Sequence, residues 1–341
     1  MRVERVPWAQ VDWGLLDSFS DRLVSQTEAW VEFLRHTQRV EPVVLRFIDG
    51  SDDVAYFTGG LTTRVGLRIL GSPFAGWSTQ YMGFNVRGGC ERGSLLPHLC
   101  SYVTHELRCP YFELRDRYLS FDDAAACSVR HAEAATFDLD LSPDEGTLFK
   151  GMSSACRRAI RKGEREDLMV EEVVDRTDEF ATEFYSQLED VFAKQGLTPT
   201  YPRSRVTSLI QHLLPTGHIL LLRVRDEGGT CIATGLFPGM NATAHFWGGA
   251  SLRSHQILRP NEAMFWYAIR LWKERGMRRF DFGGPGTYKR RYGPIPLAVP
   301  IVKGARIPLI VTARDIAERS YRAFRIATGA LRTIGRQSSR S

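Results

Sequence analysis

Residues 260–293 read PNEAMFWYAIRLWKERGMRRFDFGGPGTYKRRYG. Ala263, Trp266, Tyr267, Ile269 and Trp272 recur at helical spacing. Asn261 is placed to cap the start of that helix, since a short polar side chain accepts a bond from an orphan amide. Gly276 stands where a left-handed residue commonly ends one. Phe280, Asp281 and Phe282 then alternate as a strand does, and Gly283, Gly284 and Gly286 free the backbone to turn tightly or approach a ligand. A strand tip that bears a carboxylate, followed at once by flexible backbone and the pair Tyr288-Lys289, suits a site of group transfer. An ordinary surface turn after a buried strand is the plainer reading.

The same order of elements occurs earlier in the chain. Residues 42–50 (PVVLRFIDG) lead through a turn into 54–59 (VAYFTG), and residues 219–226 (ILLLRVRD) lead through Gly228-Gly229 into 231–237 (CIATGLF). Both are hairpins of the strand, Asp/Gly turn, strand kind. Each is followed by a strand that meets glycine, Tyr81-Met82-Gly83 and Phe246-Trp247-Gly248-Gly249, and then by a helix and a strand. The helix-strand pair of 94–114 repeats at 262–282, a constant separation of 168 residues. A helix between two strands implies a crossover and a partly parallel sheet. The expectation is an α/β fold, an α+β mixed sheet built twice: an N-terminal domain over 1–135, a C-terminal domain over 136–311, and a basic helix and tail over 312–341.

Length and composition agree with two soluble domains. The chain has 341 residues, 43% hydrophobic and 25% charged. No run approaches the ~18 apolar residues of a membrane helix, and MRVERVPWAQVDW has no apolar signal core. Six scattered cysteines, without CxxC or Cys/His ligand spacing, point to reduced thiols in a cytoplasm and to no metal site. Residues 303–341 hold nine Lys/Arg against two Asp/Glu, +7 of a chain whose total is +6. The basicity therefore belongs to the tail, whose amphipathic pattern fits either packing on its own domain or peripheral contact with the inner membrane surface or nucleic acid.

Between the halves, Ser142-Pro143-Asp144-Glu145 has the form of a capping box before one helix that runs through SSACRRAIRKGERE. Arg157, Arg158, Arg161, Lys162 and Arg165 give it a cationic flank, a solvated face or a clamp for phosphate or carboxylate. A helix over 178–194, ended by Gly196, and another over 203–214 follow, joined by a loop that contains Tyr201.

This pattern resembles the GNAT acyltransferase superfamily, and more narrowly its two-domain Fem-like branch. That branch holds peptidoglycan aminoacyltransferases and related acetyltransferases of envelope and polysaccharide gene clusters. The resemblance is carried by the duplicated domain, the basic helix, the phrase FWGGASLRSHQILRPNEAMFWYAIRLWKERGMRRFDFGG and the closing YKRRYG. It implies transfer of an acyl or aminoacyl group to a primary amine of an envelope, polysaccharide or peptide precursor. The donor is an acyl-CoA, a carrier-protein thioester or an aminoacyl-tRNA. GNAT enzymes that use acetyl-CoA carry an Arg/Gln-x-x-Gly-x-Gly/Ala loop whose amides cradle the pyrophosphate; here Leu258-Arg259-Pro260-Asn261 stands in its place. Arg259, Asn261 and Glu262, at the helix start, are the candidate donor contacts.

Acyl transfer needs a neutral nucleophile, donors that face the developing oxyanion, and proximity. Lys289 is the candidate for stabilising the oxyanion or protonating the leaving group. Asp281 accepts the ammonium proton, orients the amine, or simply caps the glycine turn. Tyr288 is a candidate donor to the carbonyl and His245 a candidate base. Arg158 and Arg161 are the anion clamp, with Lys194 and Tyr201 beside them. Trp77 and Tyr81, in a loop rich in glycine, proline and aromatics, are candidates for stacking on an acceptor in a first domain that carries no chemistry of its own. The rival class is a non-catalytic adaptor that works through the basic tail.

Overall fold

The computed structural model describes residues 1–305 except 65, 128, 194, 195 and 285, together with 310–312, 314, 316 and 320. The helix expected over 312–341 therefore lies almost wholly outside the described residues. In chain order the first half runs β1 (Arg2–Val6), α1 (Trp13–Asp17), α2 (Glu28–Gln38), β2 (Glu41–Asp49), β3 (Asp52–Arg64), β4 (Leu67–Ser72), β5 (Gly83–Val86), α3 (Arg92–His105), β6 (Tyr111–Leu114), α4 (Phe121–Ala126) and β7 (Arg130–Asp140). The second half runs α5 (Glu145–Gly151), α6 (Ser154–Arg165), β8 (Met169–Glu172), α7 (Thr177–Ala193), α8 (Arg203–Leu213), β9 (Ile219–Arg225), β10 (Cys231–Met240), β11 (Thr243–His245), β12 (Gly248–Ser251), α9 (Pro260–Glu274), β13 (Arg279–Asp281) and β14 (Ile295–Ala305).

Contacts divide the chain into two compact units, the first holding Met1–Thr136, Met240–Ala242 and Pro296–Arg314, the second Phe137–Gly239 and Thr243–Ile295. The sequence division ran the second half on to 311, whereas the tail of β14 pairs with β6 in the first unit (Val302 opposite Leu114). In the first unit the sheet runs β1-β2-β3-β4-β6-β14, with β5 on β3. The β2/β3 hairpin is antiparallel and β4/β6 is parallel, as a crossover through α3 requires. Alternation along β2 sends Val43, Leu45 and Phe47 to one face, where they meet Leu95, Leu96, Leu99 and Val103 of α3. Val44 faces the other way, with Tyr56, Leu16 and Phe19. The strand read at Tyr81-Met82-Gly83 begins only at Gly83; Met82 makes one isolated parallel bridge to Asp116.

In the second unit the sheet runs β7-β13-β11-β10-β9-β8, with β12 on β10. The β9/β10 hairpin pairs Leu222 with Gly235. The core gathers on α9, where Phe265 meets Phe237, Phe246, Phe280, Phe282 and Tyr292. Gly276 ends this helix at φ 87°, as its position predicts.

Two local expectations are corrected. The helix read from 142 onward is two helices. Asp144, not Ser142, caps α5 by accepting from Thr147 N at 2.9 Å, and Ser142 turns back on Asp140. The chain then extends at Met152 so that Ser153 can cap α6 through Cys156 N, and Arg157 covers the carbonyls of Lys150 and Met152 left open by the break. At α9 the residue before the helix is Arg259 in the left-handed region (φ 66°), with Pro260 first. Asn261 does not cap; its Nδ2 donates to Ser251 Oγ at 2.9 Å and ties the helix to β12.

Candidate active site

The site in the second unit starts from a parting of strands. β11 and β13 run parallel, with His245 opposite Asp281, and Phe246 N donates to Asp281 O at 2.8 Å. Beyond this point β12 stays with β10, Gly249 opposite Gly235, while Phe282 N turns to Phe137 O at 2.9 Å. Among the described residues the pairing of β11 with β13 goes no further than this point, the split. Glycine is needed at position 249, because a Cβ would lie 3.1 Å from the Phe246 ring and 3.2 Å from Thr234 O.

Asp281 is fully buried at the end of β13, and its Oδ1 accepts from Gly283 N at 2.8 Å. That bond shapes a turn in which Gly283 and Gly284 both take positive φ, 64° and 60°. The turn returns as a 3-10 helix, Thr287–Tyr292, which carries Lys289 inward to 6% exposure. Its Nζ donates to Gly284 O at 3.3 Å and stands 5.8 Å from the Phe246 ring centroid, at the mouth of the split. Burial pulls the Lys289 ammonium from the ordinary 10.5 to about 8, and the nearby Asp281 carboxylate opposes that fall. A lysine that titrates this close to neutrality is suited to giving and regaining a proton.

Beside this turn lies an open cleft of ≈ 820 Å³ between the α6 face, the start of α9 and the 3-10 helix. Arg158, Lys162 and Arg165 line it at i, i+4 and i+7, joined by Arg259, Arg291 and Tyr288; Glu262 is the carboxylate in its lining. Seven residues of helix advance about 10 Å, so the α6 cations form a row rather than a point. Glu262 is paired with Arg291 at 2.6 Å.

The structure thus brings Asp281, Lys289, Tyr288, Arg158, Arg259 and Glu262 into one neighbourhood with His245, which is buried on β11. Arg161 lies elsewhere, its guanidinium 5.4 Å over the Phe149 ring. Tyr201 packs on Trp247 at 5.4 Å, where the strands part, and burial pushes its hydroxyl up to about 12. Lys194 is outside the described residues. Trp77 and Tyr81 belong to the first unit and are each 2% exposed, their rings committed to its interior: Trp77 sits on Phe74, Tyr81 beside Leu23 and Val299. Arg291 was quoted in the closing motif without a role, and Lys162 and Arg165 only as part of the cationic flank of α6, although the 158/162/165 spacing held the signal for the cleft.

A model of the acetyltransferase (GNAT) domain matches residues 151–292, the stretch that contains the split, the lysine turn and the basic cleft. The second unit is a GNAT acyltransferase domain. Solved structures extend the likeness of fold to nearly the whole chain. FemX superposes with a TM-score of 0.71 at 12% identity, over 88% of this chain and 97% of its own. A tandem GNAT protein from the clavulanic acid biosynthesis pathway gives 0.52 at 13%, over 90% and 99%. L-PGS from Bacillus licheniformis gives 0.51 at 13%, over 83% and 93%. A comparison with curated proteins returned no match. The match over 151–292 thus marks a GNAT acetyltransferase domain in the second unit, and the mixed α/β fold of the chain is similar to those of FemX and a tandem GNAT protein.

The GNAT fold brings with it the question of a coenzyme A donor. The first position of α9 is Pro260, which has no N–H, and its third is the buried Glu262. The helix N-terminus already has its anion, and a pyrophosphate brought to it would meet a carboxylate. The residues do not form an amide cradle. Donor phosphates would be held by side chains instead, where the cleft offers guanidinium forks. No three His, Cys, Asp or Glu side chains converge as metal ligands among the described residues. No described helix is long and apolar enough to cross a membrane.

Proposed function

We propose that the protein transfers an acyl or aminoacyl group from a phosphate-bearing donor to a primary amine of a cell-envelope, polysaccharide or peptide precursor. One observation carries this reading: Lys289 is buried beside Asp281 where β11 and β13 part, next to a cleft lined by five cations. The amine nitrogen attacks the acyl carbon at the split. A new N–C bond forms, the carbonyl oxygen takes up negative charge, and Lys289 donates to it. When the bond to the donor breaks, its sulfur or oxygen takes the Lys289 proton, and the proton that the amine sheds restores the lysine through solvent. Asp281 keeps Lys289 cationic despite its burial and fixes the turn that aims it. The cleft holds the donor's phosphates and leaves the split to the reacting carbonyl.

A nucleic-acid donor, aminoacyl-tRNA, is favoured over a thioester by two features. The start of α9 lacks the amide cradle, and the α6 cations are spread over about 10 Å, which suits successive phosphodiesters better than one pyrophosphate. The test is to incubate the protein with labelled acetyl-CoA or with mixed aminoacyl-tRNA, each with nucleotide-linked peptide and amino-sugar acceptors, and to search for amide products by mass spectrometry. A product that requires the tRNA supports the second reading, and one from acetyl-CoA supports a thioester. No product from any pairing counts against the assigned acceptor class.

A further inference from the structure

We infer that Glu262 is a positioning residue for Lys289, acting through Arg291: the ion pair between α9 and the 3-10 helix holds the lysine turn closed. Its bearing on catalysis rests on the role proposed for Lys289; its bearing on where Lys289 sits does not. The turn is fastened at several places. Ser153 N donates to Arg291 O at 2.8 Å, Tyr292 stacks on Phe282 at 5.4 Å, and Gly293 lies against Gly151, where a Cβ would come 2.8 Å from the carbonyl oxygen. These contacts hold the far end of the turn, after Lys289. At the near end Gly283 and Gly284 bring no side chains to pack, and the backbone is held by Gly283 N on Asp281 Oδ1 and by Lys289 Nζ on Gly284 O.

A charged side-chain tie joins this 3-10 helix to α9, Arg291 Nη1 donating to Glu262 Oε1 at 2.6 Å. Glu262 is 6% exposed, Arg291 40% at its side chain. Burying a carboxylate to meet a half-exposed arginine adds little net stability, because desolvation offsets the attraction. Such pairs are best understood where they set a register, and here the register set is that of the segment bearing Lys289 two residues away. The same pairing withdraws Glu262 from contact with a donor.

The test reads Lys289 itself. Protein labelled with 13C-lysine is titrated by NMR, with Lys289→Met to assign the resonance, in wild type, Glu262→Gln, Arg291→Met, the double variant and Arg291→Lys. Wild-type Lys289 titrates at about 8. Once the tie is cut, water reaches the ammonium, and its midpoint rises by at least one pH unit toward the ordinary ~10.4. The double variant shows the same rise as either single change, since one interaction is lost in all three. Arg291→Lys, which keeps a cation facing Glu262, stays near wild type. With a donor and amine that give product, Glu262→Gln, which leaves the five cleft cations in place, lowers kcat at least tenfold while KM stays within threefold. A folded Glu262→Gln or Arg291→Met protein whose Lys289 still titrates at about 8 overturns the inference, whatever the activity. A shifted Lys289 with unchanged kcat upholds the clamp and instead overturns the role proposed for the lysine.

Discussion

Replacing Lys289 by methionine should make the protein more stable at neutral pH. The folded state lowers the ammonium's pKa from 10.5 to about 8, and each tenfold loss of proton affinity corresponds to about 1.4 kcal/mol. The charged form therefore costs the fold about 3 kcal/mol, with the attraction of Asp281 already counted. Between pH 8 and 10.5 the unfolded chain holds the proton that the folded chain has released, so stability rises with pH across that window. Below pH 8 the penalty is present in full; above about 10.5 it is gone. Methionine is neutral and of similar length, so Lys289→Met should gain about 2–3 kcal/mol at pH 7, shrinking to nearly nothing by pH 10.5. Urea unfolding followed by tryptophan fluorescence at pH 7, 8, 9 and 10 measures the difference. Where the two units unfold separately, the transition to follow is the one moved by Phe265→Ala, since Phe265 lies in the second unit. A variant less stable than wild type at pH 7, or a difference that does not narrow with pH, would refute the burial of a charged Lys289.

Other consequences follow from the same geometry. Phe265→Ala removes the ring that five other aromatics share and should cost about 3–5 kcal/mol, read as a fall in the denaturation midpoint. Gly293→Ala places a Cβ at positive φ (83°) against the Gly151 carbonyl; it should cost about 1–3 kcal/mol and speed hydrogen exchange in residues 287–293. In the cleft, Arg158→Ala and Arg165→Ala should each weaken binding of a short single-stranded RNA and lower its salt slope by about one, measured by fluorescence anisotropy from 50 to 200 mM salt. Arg161→Ala, whose guanidinium sits on Phe149, should leave both unchanged.

Much of this fold was legible in the sequence, because its signals are local. The hairpins announce themselves by strand patterns around Gly50 and Gly228-Gly229, and α9 by its spacing and Gly276. The helix break at Met152 was not legible: Ser153 and Arg157, which make it, look like interior residues of a longer basic helix until the carbonyls they satisfy are seen. Asn261 failed as a cap for a similar reason. A capping side chain has a second use, and Ser251, its partner, is ten residues away at the end of β12. At the site, Asp281 and Lys289 stood out because a glycine turn separates them. The pairing of Glu262 with Arg291 spans 29 residues and depends on how a short 3-10 turn docks on α9, which no periodicity encodes. Trp77 and Tyr81 looked like stacking residues because a loop rich in glycine and aromatics resembles a binding loop; the first unit uses both rings as core.

The most direct test of the central claim is the turnover of Lys289→Met against wild type, with whichever donor and amine give an amide product. Loss of an oxyanion donor that is also the proton source should lower kcat at least 100-fold, with KM nearly unchanged, and wild-type activity should fall as pH rises through about 8. A folded Lys289→Met protein that turns over within threefold of wild type would contradict the account.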